Sequence, residues 1–170
     1  ILSFTADELW RHLPGTRGAS VFFETWYLLP GHTADEFGLA YWANVMAVRI
    51  LVNKELERLR VAGQIGSGLD AEVDVYCDDA LYTALTRLGD ELRFVLITSY
   101  ARVHRSSERP ADAVATEREG LWIKAIPSAH TKCIRCWHHR EEVGRHTLHP
   151  ELCGRCVENV DGEGETRQYA

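Results

Sequence analysis

CIRC at residues 133–136 and CGRC at residues 153–156 are two pairs of cysteines that are separated by sixteen residues. Two residues between paired cysteines allow one tight turn to direct both sulfurs at a single ion. Zinc binds four thiolates as a tetrahedron at about 2.3 Å, and a spacer of this length returns the chain to the metal. The pattern predicts one structural zinc ion, with two disulfides and rubredoxin-type iron as alternatives; the predicted ligands are Cys133, Cys136, Cys153 and Cys156.

The residues around these cysteines combine arginine with aromatic side chains. Arginine bonds phosphates with a planar fork, and aromatic rings stack on unpaired bases, so the segment predicts a nucleic-acid contact. Because the net charge of the whole chain is -6, such a contact has to be local. The alternative for Trp137 is packing beneath the metal site. The predicted RNA-contacting residues are Arg135, Trp137, His138, Arg140, Arg145 and Arg155.

The number and spacing of cysteines and histidines indicate which of them bind metal. Five cysteines are an odd number, and C-x-x-C spacing favours metal binding over a secreted disulfide framework. Cys77 alternates with Val73 and Val75, which predicts a buried, inert thiol on a strand. Four cysteines complete a zinc shell, so we interpret the spacer histidines as surface residues rather than alternative ligands. The four spacer histidines are His138, His139, His146 and His149.

Two TADE segments, at residues 5–8 and 33–36, read as capping boxes that begin helices. The first predicted helix ends at Pro14-Gly15. The second is a long amphipathic helix that ends near Gly63 and is expected to belong to a helical bundle. Its apolar face is Phe37, Tyr41, Val45, Val48, Val52, Leu56 and Leu59.

The middle of the chain predicts a small mixed α/β unit. The Gly-rich stretch 64–69 reads as a linker, and alternation over 72–77 indicates a strand. Asp78 or Asp79 begins a helix closed by Gly89, and a short helical piece follows over 90–94. Strands are expected at about 97–105 and 120–126, with a polar loop at 105–116. The fold class is therefore α+β, in three parts: a helical segment 1–63, a junction unit 64–127 and a zinc module 128–170.

Composition and the first residues limit the class of protein. The chain is 45% hydrophobic and 26% charged, with no apolar run long enough to span a membrane and no secretory signal pattern. It does not begin with Met, and residues 1–4 read like the end of a helical region. We therefore expect this chain to be a fragment of a longer protein.

Several segments resemble bacterial isoleucyl-tRNA synthetases, in the order in which that family carries them. KCIRCWH at 132–138, VG at 143–144 and CGRCVENVDGEGE at 153–165 are similar to its C-terminal zinc peptide. ILSFTADELW at 1–10 resembles the end of its anticodon-binding helical domain. LGDELRFVL at 88–96 resembles its later C-terminal segment, and Val52-Asn53-Lys54 also agrees.

The resemblance implies a cytoplasmic, monomeric parent enzyme that activates isoleucine with ATP and transfers it to tRNA(Ile). The sequence contains neither nucleotide-binding motif of that class and no proofreading domain, so no catalytic residue is expected here and ATP would bind only in the parent's catalytic domain. By the resemblance, this part helps hold the anticodon arm. Its partners are then tRNA(Ile) and the remainder of the synthetase chain, without a membrane.

Three other functions are alternatives. The zinc module also resembles the zinc finger of formamidopyrimidine-type DNA glycosylases, which would make it a DNA-binding fragment; however, the segments 1–10 and 88–96 fit only the synthetase. A purely structural zinc-clamped module would touch no RNA, which agrees with the acidic net charge. A stand-alone enzyme is disfavoured because the sequence shows no nucleophile–base set, phosphate-binding loop or paired-carboxylate site.

Overall fold

The computed structural model describes residues 2–29, 31 and 37–169, and the chain divides into two compact units, Ile1–Ala34 and Asp35–Ala170. The first unit contains helix α1 (Ser3–His12) and a short 3-10 turn (Val21–Phe23). The capping box predicted at residues 5–8 is wrong, because the helix has already begun at Ser3. Asp7 instead pairs with Arg11 one turn later at 2.6 Å and accepts a hydrogen bond from the Ser20 hydroxyl.

The second unit begins with the long helix α2 (Leu39–Val61). Five of the predicted apolar residues on its face are buried, and that face packs against a sheet strand and a later helix; these five are Val45, Val48, Val52, Leu56 and Leu59. The predicted stop is confirmed: Gly63 has a φ of +71°, and Gln64 N–H donates to Leu59 O at 3.0 Å. The TADE start predicted at 33–36 lies outside the described residues.

A four-stranded mixed sheet forms the centre of this unit. Its strands are β1 (Ala71–Cys77), β2 (Tyr100–Arg105), β3 (Val114–Ala115) and β4 (Leu121–Pro127). Their order is β2-β1-β4-β3; β1 runs parallel to β2 and antiparallel to β4, and β3 runs antiparallel to β4. The parallel pair requires a crossover, which α3 (Asp79–Thr86) and α4 (Leu92–Leu96) supply. The predicted α+β class is confirmed.

Local signals explain most of these boundaries. Asp78 caps α3, since its carboxylate accepts the Leu81 N–H at 2.8 Å. The strand predicted from 97 begins later because Ile97 ends α4 in the left-handed region at φ +57°. The two-residue strand β3 lies inside the predicted loop 105–116, where no alternation of apolar and polar residues indicates a strand. The predicted linker 64–69 is a structured turn: Ile65 is buried, and the Asp70 carboxylate accepts the Gly66 and Ser67 amides.

The core lies between one face of the sheet and the helices α2, α3 and α4. Alternate residues of β1 point into it, including Val73, Val75 and the thiol of Cys77. Burial raises the pKa of Cys77 to about 11, which agrees with an inert, protonated thiol. Among the helices that the structure describes, none is long and apolar enough to cross a membrane.

The opposite face of the sheet carries charged residues, of which Glu72 is the most enclosed. Its side chain is 8% exposed and accepts hydrogen bonds from Arg102 of β2 at 2.6 Å and from Ser128 at 2.7 Å. Although burial alone would raise it, these two partners hold the pKa of Glu72 below its ordinary value of 4.5. Glu72 therefore ties two strands to the segment that leads into the cysteine module.

We expect Glu72→Gln to destabilise the chain at pH 7 and to do so less in acid. A carboxyl with a depressed folded-state pKa contributes stability above its unfolded pKa and loses it as pH falls through the folded pKa. The measurement is the free energy of urea unfolding of the unsubstituted chain and of Glu72→Gln, at pH 7 and below pH 4. Glu57→Gln is the control, because Glu57 pairs with Arg60 where both side chains are 55% exposed. A Glu72→Gln difference that stays constant with pH would contradict the ion-pair account.

Candidate metal centre

The four predicted ligands converge in the structure. The sulfurs of Cys133, Cys136, Cys153 and Cys156 all lie within 4.8 Å of one another, and three of these residues are buried. Cys136 Sγ and Cys153 Sγ are 3.6 Å apart, which matches the edge of a zinc–thiolate tetrahedron of about 3.7 Å and is far longer than a disulfide bond. A buried cluster of four convergent thiol donors fits zinc. Among the described residues, this is the one group whose ligand atoms meet in this way.

The first pair sits on a tight hairpin. Lys132 bridges His139 across the hairpin, Cys133 N–H donates to His138 O at 2.9 Å, and Trp137 N–H donates to Cys133 O at 2.9 Å. Trp137 has a φ of +66°, in the left-handed region that a non-glycine residue rarely occupies. This reversal closes the turn immediately after Cys136, so that both sulfurs of the pair face the same point.

The second pair uses a helix terminus. Cys153 is the N-cap of α5 (Gly154–Asp161), Cys156 lies in its first turn, and Cys153 N–H donates to Cys133 Sγ at 3.4 Å. Gly154 needs no special backbone freedom between the two cysteines, because its φ lies outside the left-handed region and an added Cβ would make ordinary contact with Glu142 at 3.7 Å. An ordinary helical turn therefore directs these two sulfurs.

Cations surround the sulfurs. Four thiolates on one divalent ion carry a net charge of about −2, which neighbouring guanidinium groups offset. Arg135 Nη1 donates to Cys156 Sγ at 3.6 Å. Hydrogen bonding from Cys153, and more weakly from His138 and Arg155, holds the pKa of Cys136 below its ordinary value, whereas burial raises the pKa of Cys156. The module thus provides its own charge compensation.

The structure separates the six predicted RNA-contacting residues into two groups of three. Arg135, Trp137 and Arg145 are exposed, with Trp137 60% exposed. The other three are enclosed by protein, since His138 is buried and the side chains of Arg140 and Arg155 are only 17% exposed. No observation tests whether any of the six touches RNA, so those roles stay predictions.

The enclosed group packs the module against the rest of its unit. His138 meets the ring of Phe94 edge-on at 5.7 Å, and the guanidinium of Arg155 lies 5.2 Å from the same ring. Arg155 also pairs with Glu165 at 2.7 Å. The interpretation of the spacer histidines as surface residues is therefore wrong for His138, whose ring fills a gap between the module and α4.

Two further features had no clear sequence signal. The Lys132 ammonium lies 5.5 Å from the Trp137 ring centre, and its place beside Cys133 was the only available hint. Ser99 is completely buried and accepts the His139 N–H at 2.6 Å. A lone serine before a strand shows no pattern that would single it out.

Comparison with known proteins agrees with this geometry. Residues 132–159 match the family described as "Zinc finger found in FPG and IleRS". The whole chain is 58% identical over 172 residues to the isoleucine–tRNA ligase of Nitrosococcus oceani. It is 56% identical to that of Ectopseudomonas mendocina and 57% identical to that of Alkalilimnicola ehrlichii.

These matches include all of this chain but only 18% or 19% of each relative, so the chain spans about a fifth of their length. The zinc-finger family includes both DNA glycosylases and isoleucyl-tRNA synthetases, so its match alone does not distinguish them. Similarity across the whole chain does, because the matching proteins are isoleucine–tRNA ligases. The DNA glycosylase alternative therefore has no support. Over its whole length, the chain is therefore related to the C-terminal part of the isoleucine–tRNA ligases, as its resemblance to isoleucyl-tRNA synthetases predicted.

Proposed function

We propose that this chain is the tRNA-binding C-terminal part of an isoleucine–tRNA ligase. It helps hold the anticodon arm of tRNA(Ile) while the catalytic domain of the same polypeptide carries out ATP-dependent aminoacylation. The supporting findings are the similarity across the whole chain and the zinc-finger match at residues 132–159. In this proposal residues 1–63 end the anticodon-binding region, 64–127 form a junction unit and 128–170 form the zinc module of a monomeric, cytoplasmic enzyme.

The observation that carries the RNA-binding proposal is the placement of Trp137. Its ring is 60% exposed although the residue occupies a left-handed backbone conformation that favours glycine or asparagine. A large apolar side chain at this exposed position gains little from burial, and its left-handed backbone carries a conformational cost. Such outliers are found where function requires them, and a base stacked on an exposed aromatic ring is one such function.

The surroundings of Trp137 suit a nucleic acid. The Lys132 ammonium lies 5.5 Å from its ring, and Arg135, two residues before it, is exposed. A cation beside an exposed ring supplies a phosphate contact next to a stacking surface. We assign the proposed contact to Arg135, Trp137 and Arg145, because their side chains are accessible. Lys132 joins them on the same grounds.

The second candidate is a structural clamp that touches no RNA. It is favoured by the many contacts that hold the module to the sheet and by the net charge of -6. The two proposals differ in the effect expected when an exposed residue is replaced. Removing the ring of Trp137 should weaken tRNA binding if the module contacts RNA, and should not change it if the module is a structural clamp.

We also propose that the four cysteines bind one zinc ion per chain. Protein purified without added metal should contain about one equivalent of zinc by elemental analysis, because the sulfurs converge on a single point. Iron in place of zinc would support the rubredoxin-type alternative. Metal near zero together with the loss of free thiols would support disulfides and contradict the proposal.

Cys136→Ser should unfold residues 130–160 and leave α2 folded. The binding free energy of a structural zinc is largely folding free energy, on the order of 10 kcal/mol, whereas α2 has its own buried apolar face. Hydrogen exchange measured along the chain is the test. Cys77→Ser is the control, because Cys77 is buried away from the cluster and its loss should weaken the sheet without releasing metal. Equal loss of protection in α2 and in the module would contradict this independence.

Arg135→Ala, Arg145→Ala and Trp137→Asn should each weaken tRNA binding by the intact enzyme without changing isoleucine-dependent ATP–pyrophosphate exchange. Loss of a charged hydrogen bond costs roughly 1.5 kcal/mol or more, and loss of a stacked base costs about 1–3 kcal/mol. Asparagine is chosen because it accepts the left-handed backbone of Trp137, so only the ring is removed. Aminoacylation measured against tRNA concentration at two salt concentrations is the test.

Two controls make this test specific. Arg109→Ala removes an exposed arginine from the loop between β2 and β3, outside both the proposed anticodon-binding region and the zinc module, and should leave tRNA affinity unchanged. The zinc content of Arg135→Ala must be measured, since Arg135 also donates to Cys156. If all three variants keep the normal affinity and salt dependence, the module is a structural clamp.

A further inference from the structure

Ser99 joins three separate segments through one buried hydroxyl. It lies just before β2 and is 0% exposed. Its amide donates to Ala71 O at the start of β1, and its hydroxyl donates to Leu69 O in the turn that precedes β1. The same hydroxyl oxygen accepts the His139 N–H at 2.6 Å. The hydroxyl thus satisfies one polar group of the turn before β1 and one of the zinc module at a buried site.

Arg140 makes the same connection from the module side. Its Nη1 donates to Ser99 O at 3.3 Å, and its guanidinium lies 4.1 Å from the centre of the Tyr100 ring. The Tyr100 hydroxyl in turn accepts the Glu141 N–H at 3.3 Å. An arginine that is stacked on a ring and bonded to a carbonyl has little freedom to reach a nucleic acid.

His139 completes the contact. One ring nitrogen donates to His130 O at 2.7 Å, and the other lies 3.4 Å from the carboxylate of Asp70, the residue before β1. We call Ser99, Tyr100, His139 and Arg140 the joint. Its four residues come from two segments that are forty residues apart in the chain, so they are adjacent only in the folded unit.

The joint sits at the base of the first cysteine hairpin. Arg140 N–H donates to Thr131 O at 3.0 Å, and Lys132 pairs with His139, so the joint and the two hairpin arms are continuous. The turn between these arms carries Arg135 and Trp137. The metal fixes the turn internally, whereas the joint fixes the hairpin relative to the sheet. A side chain at a turn can meet a partner bound elsewhere on the protein only if both constraints hold.

We infer that Ser99, Tyr100, His139 and Arg140 are positioning residues, which hold the zinc module in one orientation so that Arg135 and Trp137 meet the tRNA. This inference rests on the proposed function. It also assigns Arg140 a role within the protein, in place of the RNA contact that the sequence predicts for it. RNA is then contacted by the exposed residues of the module.

The test uses the intact enzyme that contains this chain, with Ser99→Ala and Arg140→Met as the two variants of the joint. We expect both to keep one zinc per chain and normal isoleucine-dependent ATP–pyrophosphate exchange, and to raise the KM for tRNA by roughly tenfold, because a misplaced group loses its aligned contact. Hydrogen exchange of the His139 and Arg140 amides should be faster. Thr83→Val is the matched control, since this exposed hydroxyl bonds only Asp79 O within α3.

The salt dependence of binding separates positioning from contact. Loss of a phosphate contact lowers the slope of log affinity against log salt by about 1, whereas loosening the joint leaves the number of contacts in the bound state unchanged. Arg135→Ala should therefore reduce the slope, and Ser99→Ala and Arg140→Met should not. A reduced slope in Arg140→Met with normal binding in Ser99→Ala would make Arg140 an RNA contact and overturn the inference.

The remaining outcomes are also decisive. If Arg135→Ala weakens tRNA binding and neither variant of the joint does, the positioning role is wrong while the proposed function stands. If Arg135→Ala, Trp137→Asn and both variants of the joint all bind tRNA normally, the proposed function itself fails. If both variants of the joint lose zinc, these residues are required for folding, and the positioning role is overturned.

Discussion

The convergence of four sulfurs is the constraint on which the C-terminal part of this protein depends. Among the described residues, Val143 and Leu152 are the only apolar side chains other than cysteines that pack against the buried cluster of the module. So few apolar side chains cannot offset the conformational entropy of ordering some thirty residues. The module needs the metal to supply most of its folding free energy, because the two cysteine turns have little else to hold them together.

A metal fixes the internal conformation of the module but not its orientation. Contacts with the sheet fix that orientation. The module meets the end of the sheet where β1 and β2 begin, through polar atoms of Ser99, His139 and Arg140. Because hydrogen bonds are directional and hydrophobic contacts are not, a polar joint specifies one orientation more sharply than an apolar one of equal area. His138, which rests against Phe94, adds an aromatic contact on the side of α4.

The parts of the structure that sequence predicts are those governed by local periodicity or by ligand spacing. The apolar face of α2, the alternation of β1 and the Asp78 cap are short-range patterns, and each is found where it was expected. The four cysteines are equally predictable, since two C-x-x-C pairs at this spacing are a pattern that brings four sulfurs together, as they are found here.

Contacts that depend on tertiary structure were not predictable. Thr5 to Glu8 carries the pattern of a helix start, yet the helix begins earlier, since the same residue types also suit a helix interior with an Asp7–Arg11 pair. A helix N-terminus directs the second cysteine pair, and the left-handed position near the metal centre belongs to Trp137; the C-x-x-C spacing indicates neither feature. The joint at Ser99 joins residues forty positions apart, and a single sequence contains no signal for such a pair.

An acidic chain can present a local basic surface only if most of its cations are neutralised elsewhere, and the arginines here follow that division. Arg140 pairs with Glu142, and Arg155 pairs with Glu165, with both arginine side chains 17% exposed. Such cations add nothing to the field felt by a distant phosphate, because each lies beside a carboxylate. Lys132 and Arg135 remain exposed next to Trp137. The net charge of -6 therefore opposes RNA binding over most of the surface, and it restricts any approach to the exposed cations beside the metal centre.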